Sequence, residues 1–333
     1  MKRLLLPALL VAALGIAACG TKHDPAGPPG IQHLSLMLDF FPNADHAGIY
    51  EALADGEFRR AGLDVTLRVP GDPSTPLKLL AAGKTDLAIS YEPEMLLARD
   101  QGAKLVSIGA LVQRPLTSII SLNPKFRSPA DLEHHTVGTA GIPYQSAYLK
   151  TTVQHDGGDP SLVKEVNVGF NLVPAMLSKK VYATLGGFWN YEGIQLARKH
   201  RHPKIVRVDQ AGVPTYDELV IVARQNEVGP QAATLRRFLQ ALARAHQTLR
   251  DHPDQGVQAL LKANPDLDPG LQRAAVKATL PAFFPSNSAQ PWGWQDPAKW
   301  AAYGRWMFAH GLLKRQPLAD RAMVDDLLPG QGF

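Results

Sequence analysis

The sequence predicts an α/β protein of two lobes that face each other across a cleft and are joined by two extended crossings. Three observations carry that expectation. The chain has 333 residues, more than one compact core usually takes. Short apolar strand-like runs alternate with helical patterns from Leu34 to Ala223, as expected for sheets covered by helices. The alternation restarts after Asn123-Pro124, and the chain becomes largely helical from Pro230 onward.

Taken in order, Lys2 and Arg3 precede an apolar run from Leu4 to Ala17, followed by Ala17-Ala18-Cys19-Gly20. This has the form of a secretory leader and is too short for a membrane span. The small residues before Cys19 resemble a bacterial lipoprotein cleavage box, so residues 1–18 are expected to be a signal peptide. Cys19, the only cysteine, is the expected lipidation site, and residues 19–30 form a Pro/Gly-rich tether. The alternative is an ordinary signal peptide with an incidental cysteine.

Leu34, Leu36 and Leu38 read as a buried strand that cannot continue comfortably through Pro42. Asp45 is the expected N-cap of the next helix, which carries Ala47, Tyr50, Ala54 and Phe58 on one side. Strands follow at Asp64 to Val69, Thr85 to Ser90 and Leu105 to Leu111, with helices between them ending at Gly83 and Gly102. The second lobe holds strands at Thr136 to Thr139, Glu165 to Val168, Val181 to Leu185 and Ile205 to Val208. Ser128-Pro129 opens a short helical turn there. The expected lobes are 31–120 with 220–333, and 121–219, with the C-terminal helices packed back on the first.

Composition excludes some functions. The net charge of +5 is diffuse and falls to +3 without Lys2 and Arg3; no basic stripe with interleaved aromatics points to nucleic acid. The densest basic run, Arg198-Lys-His-Arg-His202, reads as a solvated helix end. No phosphate-binding glycine loop, nucleophile elbow or metal-ligand spacing occurs, so neither a cofactor nor a metal is expected. His134-His135 reads as a surface turn.

Three strand ends carry similar groups: Asp39 and Phe40; Tyr91 and Glu92; Phe188, Trp189, Tyr191 and Glu192. In open α/β sheets ligands bind beyond the carboxyl ends of strands, so these groups are expected to converge in the cleft. Carboxylates accept hydrogen bonds and aromatic rings stack on flat ligands. The set suits a planar heterocycle bearing amino groups and suits sulfonate, phosphate or nitrate poorly. Each residue also has a structural reading. Asp39 and Glu192 could serve helix N-termini, as could Glu92 and Glu94. Phe41 and Phe188 fit a core, and Tyr91 fits lobe packing.

The stretch Leu38-Asp-Phe-Phe-Pro-Asn-Ala-Asp-His-Ala-Gly-Ile-Tyr50 resembles the opening signature of binding proteins for thiamine pyrimidine precursors. Supporting stretches are Asp86-Leu-Ala-Ile-Ser-Tyr-Glu-Pro-Glu94, Gly186-Gly-Phe-Trp-Asn-Tyr-Glu192 and Gly212-Val-Pro-Thr-Tyr-Asp-Glu-Leu-Val220. The resemblance implies a periplasmic binding protein-like type II fold with a two-strand hinge. It implies delivery of a formylated aminopyrimidine, or a close relative, to an ABC permease and its ATPase. The implied ligand residues are Asp39, Phe40 (where the family usually has Trp), Tyr91, Trp189, Tyr191 and Glu192. Asn43 and His46 join them, His46 as a structural or peripheral polar contact. An exported, membrane-anchored receptor without catalysis follows, bound to no nucleic acid and monomeric by default. The same superfamily contains a pyridoxal-phosphate-dependent pyrimidine synthase. Its cofactor lysine matches Ser90, its reactive histidine matches Glu94, and its cysteine-rich metal segment matches Pro214–Leu219, which has no cysteine. A Schiff base cannot form on serine. Flavin-type and sulfonate-type receptors share the implied fold; of the two, only a flavin suits an aromatic, acidic pocket.

Overall fold

The computed structural model describes residues 30–317 and 319–330. The expected signal peptide, Cys19 and the tether as far as residue 29 lie outside the described residues. The first sheet contains β1 (Gln32–Met37), β2 (Leu63–Arg68), β3 (Leu87–Ser90) and β4 (Leu105–Val112). The second contains β5 (Thr117–Ser121), β6 (Thr136–Thr139), β7 (Lys164–Asn167), β8 (Ala183–Phe188) and β9 (Lys204–Arg207). The chain then returns to the first sheet as β10 (Leu219–Arg224). The strand orders are β2-β1-β3-β10-β4 and β7-β6-β8-β5-β9.

The two sheets share one topology. In each, a single strand, β10 or β5, runs antiparallel to both neighbours. It is the strand on which the chain arrives from the other lobe. A chain leaving the carboxyl end of β4 crosses at the cleft, so it must run down the second sheet against the parallel strands. Strands β3, β4 and β5 are buried at every position, the near-continuous apolar pattern of sheets covered on both faces.

Two expectations are corrected here. A lobe boundary after residue 120 cuts through β5, which pairs with β8 and β9 in the second sheet; the crossing lies between Val112 and Thr117. The apolar pattern marks Thr117 to Leu122, just before Asn123-Pro124, as a strand-like stretch but does not say which sheet it joins. Asp45 is not the helix cap. The Asn43 side chain accepts the Asp45 N–H at 2.8 Å, and the His46 Nδ1 accepts the Asn43 N–H at 3.3 Å, closing a capping box around a short 3₁₀ turn, Ala44–His46. Asn43 fits because its backbone is extended there.

After β10 the chain is helical: Ala232–Asp251, Pro253–Ala263, Pro269–Thr279 and Pro297–Ala309. Proline opens three of these helices, at a position where its missing N–H costs nothing. The first two pack on the helix Ala47–Ala54 of the first lobe. The later ones also reach the second lobe: the Tyr148 and Tyr303 hydroxyls lie 2.5 Å apart. Among the described residues no helix is long and apolar enough to cross a membrane.

The helix pair is tight at Gly48, where a Cβ would overlap the His246 ring. That ring is wedged against Phe283 and Trp292, and burial pushes its pKa down to about 4. Gly48→Ala should therefore lower stability by about 1–3 kcal/mol, the usual cost of overpacking a core. An unchanged urea midpoint would mean that the ring can move aside.

Candidate functional site

A slit opens between the lobes at the carboxyl ends of the parallel strands. Its lining comes from residues following β1 (Asp39, Phe40, Asn43), β3 (Tyr91), β6 (Tyr144, Gln145) and β8 (Tyr191, Glu192). The slit holds only about 20 Å³ of free space, roughly what a single water needs. A ring ligand therefore enters only when the lobes part.

Asp39 is 2 % exposed. Its Oδ2 accepts the Tyr91 hydroxyl at 2.8 Å, and its Oδ1 lies 2.9 Å from the His46 Nε2. Because His46 Nδ1 is already an acceptor from Asn43, Nε2 carries the proton and donates to Asp39. Each Asp39 oxygen keeps a lone-pair direction free for a ligand donor. Asp39 is thus a fixed acceptor, oriented from behind by an imidazole and from the side by a phenol.

Glu192 lines the slit from the second lobe. Its Oε2 accepts the Phe188 N–H at 2.7 Å. Burial raises its pKa to about 7, against the lowering effect of that hydrogen bond. Phe40, Tyr91, Tyr144, Phe188 and Tyr191 supply aromatic walls, and no Lys or Arg is among the lining residues. The Tyr191 hydroxyl is steadied by the Gln272 amide at 3.1 Å.

Two groups of contacts close the slit across the lobes. At its mouth Phe170 meets the edge of Phe40, with ring centroids 4.5 Å apart, and lies 4.3 Å from Phe41. Deeper in the molecule, the Asp45 Oδ1 accepts the Asn190 amide at 2.7 Å and the Thr279 hydroxyl at 3.1 Å. Neither Asp45 nor Asn190 lines the slit. Burial lifts the Asp45 pKa to about 6.

Of the expected ligand residues, Asp39, Phe40, Asn43, Tyr91, Tyr191 and Glu192 line the slit together. His46 is fully buried behind Asp39. Trp189 is not among the lining residues; its indole N–H donates to the Pro115 carbonyl at 3.2 Å, and the Arg207 guanidinium sits over its ring. Phe188, which fits a core on pattern alone, is a wall of the slit. Tyr144 and Gln145 escaped sequence reasoning. The strand-end rule that found Tyr91 applies to them equally, since both follow β6 through the loop at Gly141. Gln145 accepts the Ala140 N–H at 2.9 Å and lies so close to Gly186 that a Cβ there would strike its amide.

The positions matching the synthase's cofactor lysine and reactive histidine also meet in space. Ser90 Oγ donates to Glu94 Oε2 at 2.6 Å, so a hydroxyl–carboxyl pair stands where an imine-forming amine would be needed. Among the described residues no group of three or more His, Cys, Asp or Glu side chains is arranged to hold a metal.

Two lobes of matched topology with a slit at their strand ends define a periplasmic binding protein-like type II fold. The alkanesulfonate-binding protein SsuA from Xanthomonas axonopodis pv. citri superposes with a TM-score of 0.70, covering 89 % of this chain and 99 % of that one at 16 % identity. The chain belongs to the NMT1/THI5-like family, whose sequence profile matches residues 43–256. It is 32 % identical to the formylaminopyrimidine-binding protein of Halalkalibacterium halodurans, over 97 % of this chain and 98 % of that protein. The 4-amino-5-hydroxymethyl-2-methylpyrimidine phosphate synthase of Legionella pneumophila is 24 % identical, over 75 % of this chain and 79 % of that enzyme. The chain belongs with the binding proteins of this family and not with its enzymes.

Proposed function

We propose that the protein is the exported substrate-binding component of an ABC importer and that it captures an aminopyrimidine thiamine precursor, of the formylaminopyrimidine type. The observation that carries this reading is a slit lined by one carboxyl from each lobe, Asp39 and Glu192, among five aromatic rings and no Lys or Arg. The name of the relative matched end to end supports the same ligand class. Asp39 accepts a ring amino group, Glu192 accepts a second donor from the opposite lobe, and Phe40 and Tyr191 offer stacking faces. Such a ligand favours closure because it contacts both lobes at once. Anchoring through Cys19, the permease and its ATPase complete the proposal.

Calorimetry of the protein with formylaminopyrimidine, riboflavin and taurine tests it. The aminopyrimidine is expected to bind tightly and taurine not at all. Tight riboflavin or taurine binding with none for the pyrimidine overturns the ligand assignment. Glu192→Gln should weaken aminopyrimidine binding by about 1.5–3 kcal/mol, roughly ten- to 150-fold, the worth of a hydrogen bond to a charged group. Because a ligand donor favours the ionised carboxylate, affinity should rise with pH through the free Glu192 pKa of about 7. Binding at neutral pH should release protons, which titration in buffers of different ionisation enthalpy measures. The Gln variant should lose that release.

A further inference from the structure

The basic segments that the ligand slit leaves unused come together in one place. A groove of about 1010 Å³ lies on the second lobe between the ends of four strand-flanking segments. It is lined by Lys179, Lys180, Arg201, Lys204 and four histidines, His134 and His200 among them, and by no Asp or Glu. Among the described residues none of these eight side chains has an ion-pair or side-chain hydrogen-bond partner. Acidic side chains lie outside the lining: Glu133 precedes His134 in the chain, and Asp131 acts on Tyr182 in the groove wall.

Its position follows from register. Ser121 pairs with Ala183 and with Lys204, and Val137 pairs with Ala183, so the groove sits where β6, β8 and β9 begin. Thr117 and Phe188, paired at the far end of the same sheet, line the interlobe slit. The two sites therefore occupy opposite ends of one sheet.

Backbone strain singles out the groove. Among the described residues only three non-glycine residues have positive φ: His134 at 62°, Lys179 at 59° and His200 at 55°. All three line it. Lys179 and His200 follow the helices Leu172–Leu177 and Glu192–Arg198, at C-terminal turns where glycine is the unstrained choice. Elsewhere the chain does use glycine for such turns, as at Gly83 and Gly102. Strain kept at a cluster of unpaired basic side chains marks a place where the side chain matters more than the backbone.

We propose that this groove is a second binding site, for phosphate-bearing anions, distinct from the interlobe slit. Unpaired Lys and Arg side chains around a wide concavity supply charge-assisted donors to phosphate oxygens. The stacked pair His135 and Tyr182, with ring centroids 3.8 Å apart and parallel within 1°, forms a flat wall beside them. The phosphate can belong to a soluble ester or diphosphate, or to the headgroup of an anionic lipid.

The test uses the protein and its Lys179→Gly/His200→Gly double variant. Two probes serve: inorganic pyrophosphate by calorimetry, and vesicles of phosphatidylglycerol with phosphatidylcholine, against phosphatidylcholine alone, by cosedimentation. The protein is expected to bind one of the probes, more weakly as salt is added. The double variant should bind it about tenfold less tightly while melting at the same or a higher temperature, because glycine relieves both left-handed turns. Pyrophosphate binding without a vesicle preference assigns a soluble ligand; the reverse assigns a headgroup. A protein that binds neither probe, or a double variant that binds as well as the parent, overturns the proposal. Comparing protein and variant on the same vesicles keeps any lipid anchor constant.

Discussion

Glu218→Ala should lower the thermal midpoint by roughly 4–7 °C, a loss of about 3–5 kcal/mol. Glu218 sits on the return crossing and is fully buried. Its carboxyl accepts the Leu116 N–H at 2.5 Å, the Thr117 N–H at 2.8 Å, the Thr117 hydroxyl at 2.8 Å and the Tyr216 hydroxyl at 3.0 Å. One side chain thus ties the outgoing crossing, 113–117, to the returning one. Alanine strands several buried donors at once, and each uncompensated donor costs about 1–3 kcal/mol. Water entering the hole recovers part of that, which keeps the expected total below the simple sum. Differential scanning calorimetry reads the effect. A midpoint within a degree or so of the parent's would show that the crossings hold together without this residue.

Stability should fall as the pH is raised from about 5 to about 7.5, the reverse of the usual acid sensitivity. Burial raises the pKa values of Glu94, Glu192 and Glu218 to about 7, well above the ordinary carboxyl range they regain on unfolding. Between those values the folded protein holds more protons than the unfolded chain. Their contribution is therefore complete below the unfolded pKa and is lost as pH passes through the folded one. Each group alone sets an upper bound of about 3 kcal/mol. His246 acts in the opposite sense: with its pKa down at about 4, it adds stability as pH rises from there to the ordinary imidazole value. Above that value it no longer compensates. Urea unfolding across this range measures the slope, and a flat or rising curve would contradict the burial assigned to these carboxyls.

The two-lobe α/β fold was legible because strand and helix patterns alternate and then restart. Sheet membership was not, since Thr117 to Leu122 reads as a strand whichever sheet it joins. Strand-end logic placed Asp39, Tyr91 and Glu192 at one slit, because side chains beyond a parallel strand's carboxyl end have few other places to go. The same logic took Trp189 too far: its backbone is at the right end, but its indole turns to the Pro115 carbonyl and the Arg207 guanidinium. Side-chain direction in a loop depends on neighbours that one sequence does not reveal. Asp45 failed for a related reason. Asn43 and Asp45 are both good caps, and the choice was decided by Asn190 and Thr279, residues far along the chain that claim the Asp45 carboxylate.

That carboxylate has a consequence for how such a receptor can evolve. Apparent affinity is the intrinsic affinity scaled by the fraction of molecules in the competent state. The Asp45–Asn190 contact joins the two lobes, and neither side chain lines the slit. Substitution at Asn190 would therefore retune how strongly the receptor captures its solute without changing what it recognises. A lineage meeting scarcer or richer supply has an adjustment available at one asparagine, with the recognition surface left intact.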